Sequence, residues 1–344
     1  MLYKAEVKTF AHWPKALRWL VGWTTIVLFT CAFLVLPISA CLLPTLYYYG
    51  YMRAATVWVG LLVLSLLTPQ TEWPAARTIG ELWYEIFDFH SNLSPEDRKR
   101  RIEEGQNSKY IIAMHPHGVI PFHAWLWAAY CHQYLNDKNG KQLYGFGAGA
   151  DVVMAIPFLR QAMGWLTAGS ASYSALKEGI EHGICPAANR AGRHPTSLYI
   201  LPGGVAEIFE SRPNENAIVF KNRFGLARLS LETGAMLIPT YVFGATDFFG
   251  NPIHSDSAIA WLSRKMRTGL CLFYGPLIVP FIPFTPKVTL VVGEPLEVKK
   301  YTGKGKPPRE MIAELHSRYL VAITKLFDAH KAECGYPDGK LLIN

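Results

Sequence analysis

The chain has 344 residues, of which 50% are hydrophobic, 13% aromatic and only 17% charged, with a mean hydropathy of +0.13. A soluble domain carries about 25% charged residues, so this composition excludes a disordered, collagen-like or coiled-coil chain and points away from an ordinary cytosolic enzyme toward membrane contact. The net charge of +8 is split evenly, +4 in the first 80 residues and +4 spread over the other 264, too dilute for a nucleic-acid partner.

The N-terminal tail carries Lys4, Lys8, Lys15 and Arg18. Residues Trp19 to Met52 then contain no Asp, Glu, Lys or Arg, and after Arg53 a second uncharged run extends from Ala54 to Thr71. A single span needs about 20 apolar residues, so the two runs predict a transmembrane hairpin with spans near 19–43 and 50–68. The join carries Pro44, and Tyr47, Tyr48, Tyr49 and Tyr51 suit a membrane–water interface. The basic tail before the first span and Arg77 after the second place both termini in the cytosol. Two other readings stand beside this one: a cleaved signal peptide ending near Ile38-Ser39-Ala40, and a re-entrant hairpin that does not fully cross. The division is thus a membrane region over 1–75 and a cytosol-facing domain over 76–344.

Residues 73–90 have apolar positions near helical spacing and read as an interfacial helix. Asn92-Leu93-Ser94 is a glycosylation sequon, unused on the cytosolic side, and 94–105 reads as a charged linker or exposed helix start. Buried strands are predicted over 110–114, 197–201, 237–243 and 288–292, with helices over 172–182 and 223–233. The last helix begins after Pro307-Pro308 and ends at Gly335, with Met311, Leu315, Tyr319, Ala322, Ile323, Leu326 and Phe327 on one face. Strands alternating with helices indicate an α/β domain. The apolar stretch 276–286 contains four prolines, which rule out a transmembrane helix; it is either a loop touching lipid or a packed extended connection. The six cysteines form no CxxC pair, which excludes a disulfide framework or zinc knuckle and suits a reducing compartment.

Three motifs carry chemistry. His115-Pro116-His117-Gly118 follows the 110–114 strand; on a continuing strand, residues two apart share a face, so both imidazoles would enter one site. Histidine is the usual general base near neutral pH. Leu201-Pro202-Gly203-Gly204-Val205-Ala206-Glu207 also follows a strand: glycines allow close backbone approach, and Glu207 could orient a histidine. The plainer account is a glycine turn before a surface glutamate. Lys221-Asn222-Arg223-Phe224-Gly225 opens the next helix, and two cations at a helix N-terminus suit an anion; alone, a solvated basic face accounts for it better.

The order of these motifs resembles that of glycerolipid acyltransferases, and the segments YIIAMHPHG (110–118), GICPAANR (183–190), LPGGVAE (201–207), FKNRFGLARLSLETGAMLIPTYVFG (220–244), VVGEP (291–295) and LVAITKLFDAHKAECGYP (320–337) resemble the type-2 diacylglycerol acyltransferase family, with its monoacylglycerol and wax-alcohol members. The resemblance runs over about 105–340. It implies a glycerolipid-acyltransferase-like α/β domain and a multi-pass protein of the endoplasmic reticulum membrane, with lipid droplets as a second location. The implied reaction transfers an acyl group from acyl-CoA to diacylglycerol, without metal or cofactor, acyl-CoA being a substrate; self-association stays open. The implied base is His117, supported by His115. No aspartate stands five residues after either histidine, where the wider superfamily has one; Glu207 is the first replacement and Asp151 the second. Pro116, Gly118, Gly203, Gly204, Lys221, Asn222 and Arg223 are the implied substrate contacts, the two cations facing the CoA phosphates. No Gly-x-Ser-x-Gly elbow occurs, which disfavours an acyl-serine route.

The sequence departs from the family at Ala113-Met114, where an aromatic residue is common, and at Pro202, which is closer to the wider superfamily. Monoacylglycerol or a fatty alcohol remains a rival acceptor. A metal-dependent hydrolase would need further ligands, and His123, His132, His182 and His194 stand in poor contexts for that. A non-enzymatic hairpin scaffold would not need His117, Glu207 and Lys221 together.

Overall fold

The computed structural model describes residues 1–105, 108–136, 145–182, 197–266 and 271–344. The segment GICPAANR and His194 lie outside these residues.

The strands are β1 (Tyr3–Lys4), β2 (His90–Ser91), β3 (Tyr110–His115), β4 (Phe146–Gly149), β5 (Ala168–Ser170), β6 (Leu198–Ile200), β7 (Ala217–Ile218), β8 (Met236–Phe243), β9 (Thr289–Val292) and β10 (Leu342–Ile343). Eight of them form one sheet in the order β1-β2-β9-β8-β3-β6-β4-β5, and β7 pairs with β10 separately. The run β8-β3-β6-β4-β5 is parallel, while β9 runs antiparallel to β8. The predicted α/β class and its four strands are present, with ends shifted by a residue.

The central strands are buried on both faces, as parallel strands under helices must be. In β3, Tyr110, Ile112 and Met114 enter one core, and Ile111 and Ala113 enter the other. The first face is covered by α1 (Lys15–Phe33), Trp83–Ile86 and Phe122–Tyr134, and the second by Gly225–Thr233 and Arg309–His330. The stripe Leu315, Tyr319, Ile323 and Phe327 lies in the second core.

The N-terminal region differs from the two predicted spans. It forms three helices, α1, α2 (Val35–Tyr48) and α3 (Met52–Leu67). The break falls at Leu34, and Pro44 sits inside α2. At 1.5 Å per residue they are about 28, 21 and 24 Å long, against a hydrocarbon core of about 30 Å. Among the described residues only α1 is long and apolar enough to cross a membrane. It is also tied to the folded domain: Ile26 and Phe29 are buried, and the Phe29 ring lies 4.8 Å from Trp125 and 5.7 Å from Phe122.

Residues 73–90 are not an interfacial helix. They form Pro74–Ile79, a 3₁₀ turn Gly80–Leu82, Trp83–Ile86 and then β2. Trp83, Tyr84, Phe87 and Phe89 are buried, and Trp83 and Phe87 pack on Phe122 at 5.5 and 5.7 Å. The apolar spacing that suits a lipid interface suits a core equally well, and α1 and the Phe122 helix supply that core.

The 94–105 segment is a helix, Pro95–Gly105, started by a reciprocal cap: Ser94 Oγ accepts the Asp97 N–H at 3.0 Å and Asp97 accepts the Ser94 N–H at 3.2 Å. Arg100 from this helix holds Glu294 of the VVGEP segment with two bonds, at 3.1 and 2.9 Å. The Asn92 amide is taken up by the Val292 backbone, donating at 3.0 Å and accepting at 2.8 Å.

Phe122 joins α1, the Trp83 turn and the Phe248-Phe249 loop in one aromatic cluster. Phe122→Ala should cost about 3–5 kcal/mol, the usual range for deleting a buried ring, read as a lowered midpoint of unfolding in detergent. An unchanged midpoint would show that the cluster does not bind α1 to the domain.

Candidate active site

β3 ends at His115 because Pro116 has no N–H to continue the ladder; the His115–Pro116 peptide is cis. The expectation that both imidazoles share a strand face therefore does not hold. His115 is the last strand residue, fully buried, with its ring 5.1 Å from Phe220 and 6.1 Å from Tyr319. His117 lies beyond the strand and is half-buried.

Glu207 brings the two together. It sits in the helix Gly204–Glu210 and is 1% exposed. Its Oε2 accepts the His117 backbone N–H at 2.7 Å, while Oε1 accepts the Val219 N–H at 2.9 Å and lies 3.3 Å from His115 Nδ1. Burial pushes the carboxyl up, but the hydrogen bond and charge of His115, the Val219 amide and the charge of His117 outweigh it and hold the group below its ordinary value. Glu207 is thus an anion at neutral pH, and His115 presents Nδ1–H to it.

Two glycines make this arrangement sterically available. A Cβ on Gly203 would fall 1.7 Å from Glu207 Cδ, so the carboxylate folds back over a residue that must lack a side chain. Gly118 has φ +69°, and a Cβ there would meet the Ala245 carbonyl oxygen at 2.4 Å.

His117 Nδ1 lies 2.9 Å from the Gly118 carbonyl oxygen, so Nδ1 carries the proton and Nε2 is left as the basic nitrogen. Burial pushes this imidazole below its ordinary value, partly offset by the Gly118 hydrogen bond and the Glu207 charge. At neutral pH it is unprotonated, as a general base must be.

The basic motif is placed on the next loop. The helix begins at Gly225, two residues later than predicted. Lys221 and Asn222 are exposed, and neither Lys221 nor Arg223 has an ion-pair partner among the described residues. Arg223 donates to the Pro202 carbonyl at 3.0 Å, which ties the basic loop to the Pro-Gly-Gly turn. Pro116 and Gly118 flank His117, and Gly204 opens the Glu207 helix. Asp151 is exposed at the start of Asp151–Met154 and bonds neither histidine.

Three residues join the site that the motifs did not include. His316 donates from Nε2 to the Lys221 carbonyl at 3.0 Å and packs on Phe220 and Phe224, fixing the basic loop against the last helix. Tyr319 donates to the Ala113 carbonyl at 3.2 Å beside His115. His123, buried in the first turn after the motif, is pushed down to about 3 by burial and then by the charge of His117. His316 was detectable in the sequence as a polar residue between Leu315 and Tyr319 on the apolar face.

The family model "Diacylglycerol acyltransferase" matches residues 51–344. Relatives include the mouse (Mus musculus) protein "Diacylglycerol O-acyltransferase 2-like protein 6", 30% identical and covering 73% of this chain and 75% of the relative. The human (Homo sapiens) protein "Acyl-CoA wax alcohol acyltransferase 2" is 31% identical over 73% and 74%. The mouse "Diacylglycerol O-acyltransferase 2" is 30% identical over 68% and 59%. A crystal structure of the 1-acyl-sn-glycerophosphate acyltransferase of Thermotoga maritima aligns over 92% of this chain and 98% of that one, at 14% identity and TM-score 0.38, too loose a likeness to carry an argument. The chain belongs to the diacylglycerol acyltransferase family.

Because Gly203 and Glu207 occupy one volume, Gly203→Ala should lower activity to the level of Glu207→Ala, and the double variant should fall no further. Additive losses would mean that Gly203 acts independently of the carboxylate.

Proposed function

We propose that this member of the diacylglycerol acyltransferase family transfers an acyl group from acyl-CoA to the free hydroxyl of diacylglycerol, with His117 as general base. The observation that carries the reading is the His117 imidazole: half-buried, pinned through Nδ1 to the Gly118 carbonyl, and connected through its backbone N–H to the buried Glu207 anion.

In this reading Nε2 of His117 removes the proton as the acceptor oxygen attacks the thioester carbonyl. The C–O bond forms, the tetrahedral adduct collapses, and the C–S bond breaks. The imidazolium returns its proton to the departing CoA thiolate, so atoms and charges balance. Glu207 stabilises the imidazolium while it exists and holds the backbone of the motif in place. His115 is a positioning residue: its ring fills the space between Phe220 and Tyr319 and anchors Oε1. Lys221 and Arg223, without ion-pair partners among the described residues, face the CoA phosphates, and Asn222 takes a polar group of a substrate.

The acceptor class rests on the relatives. A wax alcohol acyltransferase is as similar to this chain as a diacylglycerol acyltransferase, so a fatty alcohol, or monoacylglycerol, is the alternative acceptor for the same chemistry. The apolar N-terminal helices support a site on the endoplasmic reticulum membrane or on lipid droplets, with the domain facing the cytosol.

Labelled oleoyl-CoA supplied to membranes containing the full chain, with diacylglycerol, monoacylglycerol and fatty alcohol in competition, should yield triacylglycerol. Wax ester or diacylglycerol as the main product would change the acceptor and keep the mechanism; no acyl transfer would overturn the reading. His117→Ala should lower turnover roughly 10²–10⁴-fold, the usual contribution of a positioned acid–base group.

The pH profile is a separate test. With the His117 pKa depressed below 6.5, kcat/KM should rise with pH through a value under 6.5 and stay level above it. An acid limb that persists in His117→Ala would belong to another group.

A further inference from the structure

The helix that carries Glu207 packs on a second helix, Ala258–Met266. Phe209, Ile253 and Ala260 are buried between them, with Val205 and Cys271 against the cluster. The Asn251 side chain donates to the Ile208 carbonyl at 2.8 Å, locking the connection.

The orientation of Ala258–Met266 is the reverse of a solvated surface helix. Its small residues Ala260 and Ser263 are buried, while Ile259, Trp261 and Leu262 are exposed. Lys265 lies over the Trp261 ring, 4.9 Å from its centroid, an amphipathic pair of the kind that sits at a bilayer–water interface.

A second apolar projection follows. The turn at Pro276–Ile278 exposes Leu277 by 94% and Ile278 by 81%. Both have positive φ, +56° and +63°, a conformation that is costly for a β-branched residue. The turn is closed at its base: Gly275 donates to the Val279 carbonyl at 2.9 Å, and a Cβ on Gly275 would lie 1.7 Å from the Ile282 oxygen. The backbone therefore holds two large apolar side chains away from the protein. After Val279, Pro280 and Phe281 line an open apolar groove together with Leu34, at the break between α1 and α2, and Ile38, Cys41 and Leu42 of α2.

We propose that the helix Ala258–Met266 and the turn Pro276–Ile278 form a second bilayer-docking element, which inserts Ile259, Trp261 and Leu262 of the helix and Leu277 and Ile278 of the turn into the interfacial layer of a phospholipid membrane. The occupant is lipid because the turn adjoins the N-terminal helices across a shared apolar wall, and because Trp261 and Lys265 have the chemistry of a headgroup boundary. The consequence is positional. The helix bearing Glu207 stands one packing distance, about 8–10 Å, behind a helix that lies on the membrane, so the active site is held at a fixed height above the lipid. The proposal rests on the reading of the N-terminal helices as membrane-embedded.

The test uses the full chain reconstituted in phosphatidylcholine vesicles containing nitroxide-labelled phospholipid. A fluorescent amino acid replaces Leu277, Trp261, Leu64 in α3, or Lys306 on the polar surface, one at a time. Quenching by lipid at 277 and 261 as strong as at 64, with none at 306, is the expected result. Probes at 277 and 261 that are reached by aqueous iodide and not by lipid, while 64 is quenched by lipid, would overturn the docking element and leave the membrane reading intact. Iodide access at 64 as well would overturn both.

Discussion

A carboxylate withdrawn from water must be compensated by donors, and Glu207 is compensated by three: the imidazole of His115 and the backbone amides of His117 and Val219. These donors come from the end of β3 and from the strand connection after β7, while Glu207 itself comes from the helix after β6. One buried charge therefore fixes the relative positions of three loops at the same edge of the sheet. Arg223 to Pro202 and His316 to Lys221 extend the linkage to the basic loop and the last helix. Without Glu207 the two amides and the His115 nitrogen would be left buried and unpaired, which costs more than any single bond among them is worth.

The sheet gives this arrangement its rigidity. The central parallel strands, buried on both faces, leave the loops at their carboxyl ends as the place where polar groups can gather, which is where ligands bind in such folds. His115, the Pro-Gly-Gly turn and the segment after β8 all lie there. Around this rigid centre the apolar surface is unevenly distributed. Part of α1 is enclosed by Trp83, Phe122 and Trp125, while α2, α3, the helix Ala258–Met266 and the turn Pro276–Ile278 leave large side chains outside. α1 is thus both an apolar helix and a packed part of the folded domain, in contact through Phe29 and Phe122 with the helix that follows His117.

Much of this was legible in the sequence because it depends on residue type and local period. The buried runs at 110–114 and 237–243 read as strands, and the His-Pro-His-Gly motif marked a site at a strand end, while the Pro-Gly-Gly…Glu motif by itself fitted a plain turn before a surface glutamate equally well. Glu207 could be singled out as the partner of a histidine because no aspartate stood nearby. What could not be read was which apolar stretches pack inside the protein and which stay at its surface. Residues 73–90 and 258–266 both carry large apolar side chains at helical spacing. The first is core because α1 and the Phe122 helix enclose it; the second faces outward because only its small residues fit against the Glu207 helix.

By itself, the sequence determined the α/β class and the inventory of reactive groups, because these follow from side-chain chemistry and from periodicities of a few residues, while the family was legible from the resemblance of whole motifs taken in their order. Only the tertiary structure decided that the chain leaves β3 at His115, that His117 is reached through its backbone amide, and that Gly203 is the space into which Glu207 folds. The second of these depends on contacts between residues about 90 positions apart, and the third on a buried carboxylate packing over its own turn; in both, steric exclusion and desolvation, rather than local propensity, select the conformation.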